Sequence, residues 1–460
     1  MRTERDSMGE VEVPVEAYYG ASTMRAVNNF QISGSPFPRV FIHALGLIKL
    51  AAARANGELG LLDADVAKAI EEAAREVADG KWDAQFVVDI FQTGSGTSTN
   101  TNANEVIAAR ASEILTGDKT SHRVHPNDHV NMCQSSNDVI PATIRIAAIL
   151  LIIEHLWPAL VEMRTVLDEK SKAFWGVIKT GRTHLQDATP IRLGQEFKGY
   201  GAQIERGLKR LNASIDEMRE LPLGGTAVGT GINAHREFGL KVAAQLHDLT
   251  GGPFIETDEH FQAQSNIDAL VSASGSLRTL AVSLTKIADD IRWLGSGPRA
   301  GLGELKLPEV QPGSSIMPGK VNPVIAEALL QVCAQVIGND ATIVQAGLGS
   351  HFELNMMLPV AAHNLLQSIS LLSAATGNFT ARCLRGLEAT DRGPALVASG
   401  LAIGTALAPQ IGYDAAALIA KEAAETGETI RVVAKRRAQL SDADLDRILD
   451  PARLVEPGLD

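Results

Sequence analysis

Between Leu193 and Met218 the apolar side chains fall at Leu193, Phe197, Tyr200, Ile204, Leu208, Leu211, Ile215 and Met218, in steps of four and three. A second series runs Ala273, Leu277, Leu280, Leu284, Ile287, Ile291 and Leu294. This spacing keeps one face of an α-helix apolar along its whole length, whereas a strand would need steps of two. At about 1.5 Å per residue, a helix of about thirty residues is a rod of roughly 45 Å, longer than an ordinary compact domain needs. Both helices are therefore built to lie along other helices. Further helices are expected from about 140 to 174 with Pro158 as a kink, from 324 to about 343, and from about 359 to 385. Five long helices and almost no strand make an all-α, mainly helical fold, most simply an elongated five-helix bundle. The breadth of the apolar stripes points to bundles from several copies packing together.

The regions around this bundle differ in kind. Residues 1–134 form a mixed, mostly helical N-terminal domain: "VEVPVEAYYG" reads as locally extended, and Phe41 to Ala55 and Asp63 to Ala78 read as helices. The bundle domain occupies 135–391. From 392 to 460 the pattern shortens into a small helical C-terminal domain, in which Asp414 caps "AAALIAKEAAETG", Gly427 ends it, and Ser441 with Asp444 opens another short helix.

Composition excludes some functions. With 45% hydrophobic residues among 460, the chain can bury large cores. A net charge of -12 argues against nucleic-acid or anionic-membrane partners, although a local cluster of cations can still hold a small anion. Cys133, Cys333 and Cys383 are too few and too scattered for a disulfide framework or a metal knuckle, which fits a reducing cytosol. The N-terminus has no apolar signal core, and the greasiest run, "IAAILLII" from Ile146 to Ile153, falls short of the ~20 residues that span a bilayer. A soluble, cytoplasmic protein is expected.

Five polar segments interrupt or flank the long helices: "TGSGTSTNTNANE", "HPNDHVNMCQSSND", "KTGRTHLQDATP", "LGGTAVGTGIN" and "QPGSSIMPGKVNP". Helix ends need about one capping side chain each, so the excess of hydroxyls and amides points to ligand binding. Ser135, Ser136 and Asn137 precede an apolar run and read both as a helix N-cap and as an anion site, since free N–H groups at a helix start serve either purpose. His125 and His129 are four apart, but no Glu follows the first, and Pro126 and Asn127 break the helix on which a metal-binding spacing would matter; no metal is expected. "GGTAVGTG" lacks the lysine of a Walker motif and the preceding strand of a dinucleotide site, so tight turns are its expected role.

His184 follows a glycine and is expected to precede a helix starting near Pro190. Arg182, Thr183, Gln186 and Asp187 surround it, and a histidine in such a setting can shuttle protons near neutral pH. Glu327, on the first turn after "KVNP", is placed to hydrogen-bond a histidine and raise its basicity. The segment 311–323 packs three prolines, two glycines, two adjacent hydroxyls, a lysine and an asparagine into a stretch that neither helix nor strand would choose. It reads as a mobile flap whose backbone N–H groups and one cation converge on an anion, with Lys320 supplying charge and Asn322 a directed donor for a carboxylate.

"GSSIMPGKVNP" closely resembles the signature loop of the fumarase/aspartase superfamily, and "HPNDHVNMCQSSND" with "GRTHLQDATPIRLGQEF" is similar to the class II fumarases within it. The resemblance spans essentially the whole chain. A histidine at 184 and the "HPND" sequence favour fumarases over aspartate ammonia-lyases, the leading alternative. A purely structural relative, of the kind found among lens crystallins, would be free to lose Ser314, Lys320, Asn322 and His184. The resemblance implies reversible hydration of fumarate to L-malate without metal or organic cofactor. It also implies a homotetramer with a central 20-helix bundle and sites shared between subunits. Ser314 matches the family's proton acceptor and His184 the residue handling hydroxyl or water, with Glu327 as its partner. Ser95, Gly96, Thr97, Ser135, Ser136, Asn137, Thr183, Ser315, Lys320, Val321 and Asn322 match the groups holding the substrate. His125, Pro126, Asn127 and Asp128 match a second anion site outside the catalytic pocket. Cys133, Ser22 and "GTSTNTNANEV" depart from the family's commoner residues without removing a catalytic match.

Overall fold

A computed structural model describes residues 1–458. The apolar ladders become helices Leu193–Met218 and Asp268–Leu294, and every ladder residue in both is buried. Helices Val324–Gly347 and Leu358–Arg382 are of similar length. Among the described residues, strands occur only in two-stranded pieces, so the fold is mainly helical.

The expected kink at Pro158 takes a specific form. Helix Ser136–Leu151 widens into a π-helical turn at Ile152–Leu156 before continuing as Trp157–Ala173. A proline lacks an N–H and crowds the preceding turn, and the widened turn just before it accommodates both defects. Within this run of 38 residues one 18-residue window is apolar enough by composition to cross a membrane, but 83% of that window is buried inside the protein, as befits a core helix.

By compactness the chain divides into two units. The first comprises Met1–Pro158, Gly207–Ala281 and Ala334–Ser373, and the second Ala159–Arg206, Val282–Cys333 and the chain from Ala374 onward. Positions 459 and 460, in the expected segment 392–460, lie outside the described residues.

In the first unit, helix Arg39–Glu58 packs against Ala64–Ala78, Ser136–Leu151 and Phe238–Thr250. Gly46 permits the first of these approaches, since a β-carbon there would come within 2.7 Å of the Ala78 nitrogen. From Asp138 onward helix Ser136–Leu151 is buried on all sides. Its one cation, Arg145, gives its guanidinium to the carbonyls of Glu220 and Ala263, while burial pulls its pKa down to about 10.

In the second unit, strands Ile178–Thr183 and Gln186–Arg192 pair antiparallel and pack against helix Arg392–Ser399 and the 3-10 turn Ala402–Leu407. Lys179 and Arg182, on the first strand, both reach the buried carboxylate of Glu304. A separate small core joins Leu407, Ile419, Ile430, Val433, Leu445 and Ile448 near the C-terminus. There Ser441 accepts from the Asp444 N–H as expected, but Gly412 rather than Asp414 occupies the N-cap of Tyr413–Thr426, because the helix starts two residues earlier than the apolar pattern does. Cys133, Cys333 and Cys383 are buried free thiols.

Candidate active site

The candidate residues fall in two groups, one in each compact unit. In the first unit, Gly96 is the left-handed N-cap of helix Thr97–Thr116, with φ of 73°. A β-carbon there would also press to 2.9 Å from the Ile140 side chain, so glycine is required twice over. The turn brings Ser95 Oγ to 2.6 Å from Thr97 Oγ1, and Thr97 Oγ1 lies 2.7 Å from Ser136 Oγ. Ser136 opens helix Ser136–Leu151, so the N-termini of two helices meet through a chain of hydroxyls. Unpaired N–H groups and the positive ends of two helix dipoles make such a junction suited to a carboxylate. Ser135 N-caps the helix in a capping box with Asp138, and Asn137 donates from Nδ2 to the Ala227 carbonyl at 2.8 Å. That bond draws in the glycine-rich segment, whose turns at Gly224, Thr226, Gly229, Gly231 and Asn233 all have positive φ.

His125, Pro126, Asn127 and Asp128 also lie in the first unit. Contrary to the expectation of a plain helix break, residues Pro126–Val130 form one π-helical turn. Proline is tolerated at its first position because that N–H would have no partner in any case. His125 caps it, accepting at Nδ1 from the Asp128 N–H at 3.0 Å, while His129 Nδ1 accepts from the His125 N–H at 2.9 Å. His125, Pro126 and Asn127 line a cavity of about 380 Å³ with Arg2, Arg5 and Lys119, tempered by Glu4 and Asp6.

In the second unit, His184 does not lead into a helix near Pro190. It stands with Leu185 at the tip of the hairpin, and the helix begins only at Leu193. Both tip residues have positive φ, 58° and 60°. A two-residue hairpin turn with two left-handed positions is normally filled by Asn-Gly, and an ordinary L-residue there costs roughly 1–2 kcal/mol. A polar hairpin with His-Leu at that tip carries no turn signature, so the turn was invisible in the sequence. Backbone strain of this kind concentrates at functional positions. Thr183 and His184 are both exposed.

The loop 311–323 is drawn closed at its neck. Asn322 donates from Nδ2 to the Gly313 carbonyl at 2.6 Å, and a β-carbon on Gly313 would come within 1.8 Å of the Lys320 carbonyl oxygen. Inside this neck, Ser314 Oγ accepts from the N–H groups of Ile316 and Met317 at 3.2 and 3.1 Å. Donors aimed at an oxygen favour its negatively charged form. Ser315 and Lys320 are exposed, Val321 half-buried, and Gly313, Ser314 and Lys320 line a cavity of about 510 Å³. Glu327 sits in the first turn of Val324–Gly347. Within one chain no hydrogen bond joins it to His184 among the described residues.

Three residues were missed from the sequence. Asp138 and Lys49 stand behind the first group, and Glu304 anchors the stem of the His184 hairpin. Only Asp138 had left a signal, as the acid three places after a serine that marks a capping box.

Comparison with known proteins identifies the family. Residues 9–338 match a lyase family model and residues 403–456 match the model of the fumarase C C-terminus. The class II fumarate hydratase of Neisseria meningitidis is 51% identical over 458 residues, covering 99% of both chains, and that of Halobacterium salinarum is 52% identical over 459 residues, covering 100% of this chain and 98% of the relative. Among solved structures, the class II fumarase of Schistosoma mansoni superposes with a TM-score of 0.97 at 37% identity, covering 99% of each chain. At such identity over its full length, the chain belongs to the class II fumarate hydratase family of lyases.

Proposed function

We propose that the enzyme reversibly hydrates fumarate to L-malate. Full-length similarity to class II fumarate hydratases sets the reaction class, and the observation that carries the assignment of residues is the pair of backbone N–H groups directed at Ser314 Oγ. A serine is a weak base at its ordinary pKa and needs its alkoxide stabilised by neighbours. The two N–H groups and the nearby Lys320 are suited to that work. In the dehydration direction Ser314 Oγ takes the proton from the carbon beside one malate carboxylate. That carboxylate becomes an aci-carboxylate with one more negative charge, held by Lys320, Asn322, Ser315 and the amide of Val321. His184, paired with Glu327, then protonates the departing hydroxyl, which leaves as water as the double bond forms. In hydration the same groups reverse their roles.

Ser95, Gly96, Thr97, Ser135, Ser136, Asn137 and Thr183 hold the substrate carboxylates. The hydroxyl chain linking the two helix N-termini supports that role. His125, Pro126, Asn127 and Asp128 form a second anion site, supported by the arginines and lysine that share its cavity. We assign a homotetramer in which copies of the chain complete one another's sites, Glu327 meeting His184 across a subunit boundary. Apolar side chains left exposed on the long helices, such as Val282, Trp293 and Ile337, support such packing. The assembly is soluble and cytoplasmic, organised along the chain as 1–134, 135–391 and 392–460.

The deciding experiment follows the ultraviolet absorbance of fumarate after adding L-malate or L-aspartate. Absorbance rising with malate alone supports the reading. Release from aspartate alone would make the enzyme an ammonia-lyase.

A further inference from the structure

The glycine-rich segment "GGTAVGTG" has the form of an anion nest, and the structure shows that its anion comes from the chain itself. Asp138 is fully buried, and its Oδ2 accepts from the N–H groups of Gly224 and Thr226 at 3.2 and 2.9 Å. Its Oδ1 accepts from the Ser135 N–H at 2.9 Å. The carboxylate thus ties the start of Ser135–Asn137 to the glycine-rich turns, and the bond from Asn137 to Ala227 repeats the tie one residue earlier.

The chain just before Ser135 is held by a second buried charge. Lys49, fully buried on helix Arg39–Glu58, donates from Nζ to Asn131 Oδ1 at 2.9 Å and to Gln134 Oε1 at 3.0 Å. Gln134 in turn donates from Nε2 to the carbonyls of Val130 and Met132, and Asn131 donates from Nδ2 to the Gln134 carbonyl. Residues 131–134 are thereby wound around one ammonium, with Cys133 forced to a φ of 61°. A lysine stem buried in an apolar helix contributes nothing to the core that a methionine would not, so its charged end needs another reason to be there.

We propose that Lys49 and Asp138 are positioning residues for the hydratase reaction, clamping the two flanks of Ser135–Asn137 so that these groups meet a substrate carboxylate in one geometry. Neither side chain is exposed enough to touch substrate, so both act through the segment between them. This rests on the reading of Ser135, Ser136 and Asn137 as carboxylate-holding groups. Electrostatics agrees. Burial raises Asp138 to about 6, offset in part by the N–H groups of Ser135, Thr226 and Gly224 and least by Lys49, and burial lowers Lys49 to about 7, offset in part by Asp138.

The test compares D138N and K49M with S136A and N137A. E76Q serves as a control that removes a buried charge remote from these segments, from the pair of Glu76 with Arg110. The measurements are KM and kcat for L-malate, the inhibition constant of succinate, and the thermal midpoint. Misplacing a binding group by about 1 Å costs up to about 100-fold in kcat/KM. D138N and K49M are expected to lower kcat/KM about 10- to 100-fold, mainly through KM, with succinate weakened in parallel. E76Q should lower only the thermal midpoint. K49M leaves the 135–138 segment itself unaltered, so it decides the matter if D138N does not fold. If D138N and K49M lower the midpoint while KM and succinate binding stay within about threefold, and S136A still raises KM, the clamp is overturned and the carboxylate site stands. If S136A and N137A also leave KM unchanged, the reading of the site falls and the clamp with it.

Discussion

The neck of the 311–323 loop is too tight to admit one added carbon at Gly313. In G313A the new β-carbon would sit 1.8 Å from the Lys320 carbonyl oxygen and 2.7 Å from its carbon, whereas real β-carbons essentially never approach within 3.0 Å. The obstruction is backbone and cannot swing aside, so the two sides of the neck must part by more than about 1 Å. That movement breaks the 2.6 Å hydrogen bond from Asn322 to the Gly313 carbonyl and shifts Ser314, the next residue, away from Lys320. A misplacement of about 1 Å costs up to about 100-fold in rate, or about 2.7 kcal/mol at 1.36 kcal/mol per factor of ten. The loop lies outside the core, so the thermal midpoint should hardly move. The assay is initial-rate formation of fumarate from malate, followed by absorbance. G319A is the companion: its φ of 76° strains an alanine, but the added carbon meets nothing within 4 Å, so its loss should stay below about tenfold. If G313A keeps its rate within about threefold of the parent, the closed neck does not position Ser314 and Lys320 for reaction.

Other expectations follow from the same geometry. K320A should lose about 10²- to 10³-fold in turnover, and S314A should be similarly crippled while remaining folded by circular dichroism; turnover near that of the parent in either would move its role elsewhere. H184N should keep or slightly raise the thermal midpoint, because asparagine suits the left-handed tip, yet lose most turnover; equal activity would make the tip histidine structural. The Arg110 guanidinium hydrogen-bonded to Glu76 holds that carboxyl below its ordinary value of 4.5. A depressed carboxyl stabilises the fold above its unfolded-state pKa and loses that contribution as pH falls through the folded value. E76Q should therefore cost roughly 1 kcal/mol near pH 7, since Arg110 is partly exposed and keeps Glu113, and its denaturation curves should converge with those of the parent in acid; a constant deficit at all pH values would contradict the pairing.

Periodicity made the helical frame legible. A three-and-four spacing over more than twenty residues admits no other regular structure, and Leu193–Met218 begins and ends where the ladder does. The polar segments proposed to form the site stand out in the sequence because hydroxyls, amides and glycines exceed what helix ends consume. Their local conformations were less so. The strand pair around His184 has neither apolar alternation nor a turn dipeptide, because it is held by Lys179 and Arg182 on Glu304, more than a hundred residues away in the chain. Lys49 was hidden for a related reason. One lysine in an apolar helix reads as a stem reaching for water, and only the fold shows Asn131 and Gln134 receiving it.

The burial of Arg145 bears on how the chain is made. Its guanidinium is satisfied by the carbonyls of Glu220 and Ala263, 75 and 118 positions further along. At roughly 5–20 residues per second of synthesis, the greasy helix around Arg145 waits on the order of 6 to 24 seconds for the later of these partners to leave the ribosome. During that interval a nascent polypeptide displays an apolar surface with a stranded cation in it. The interior of this part of the molecule can therefore close only after its distant downstream segments have been made.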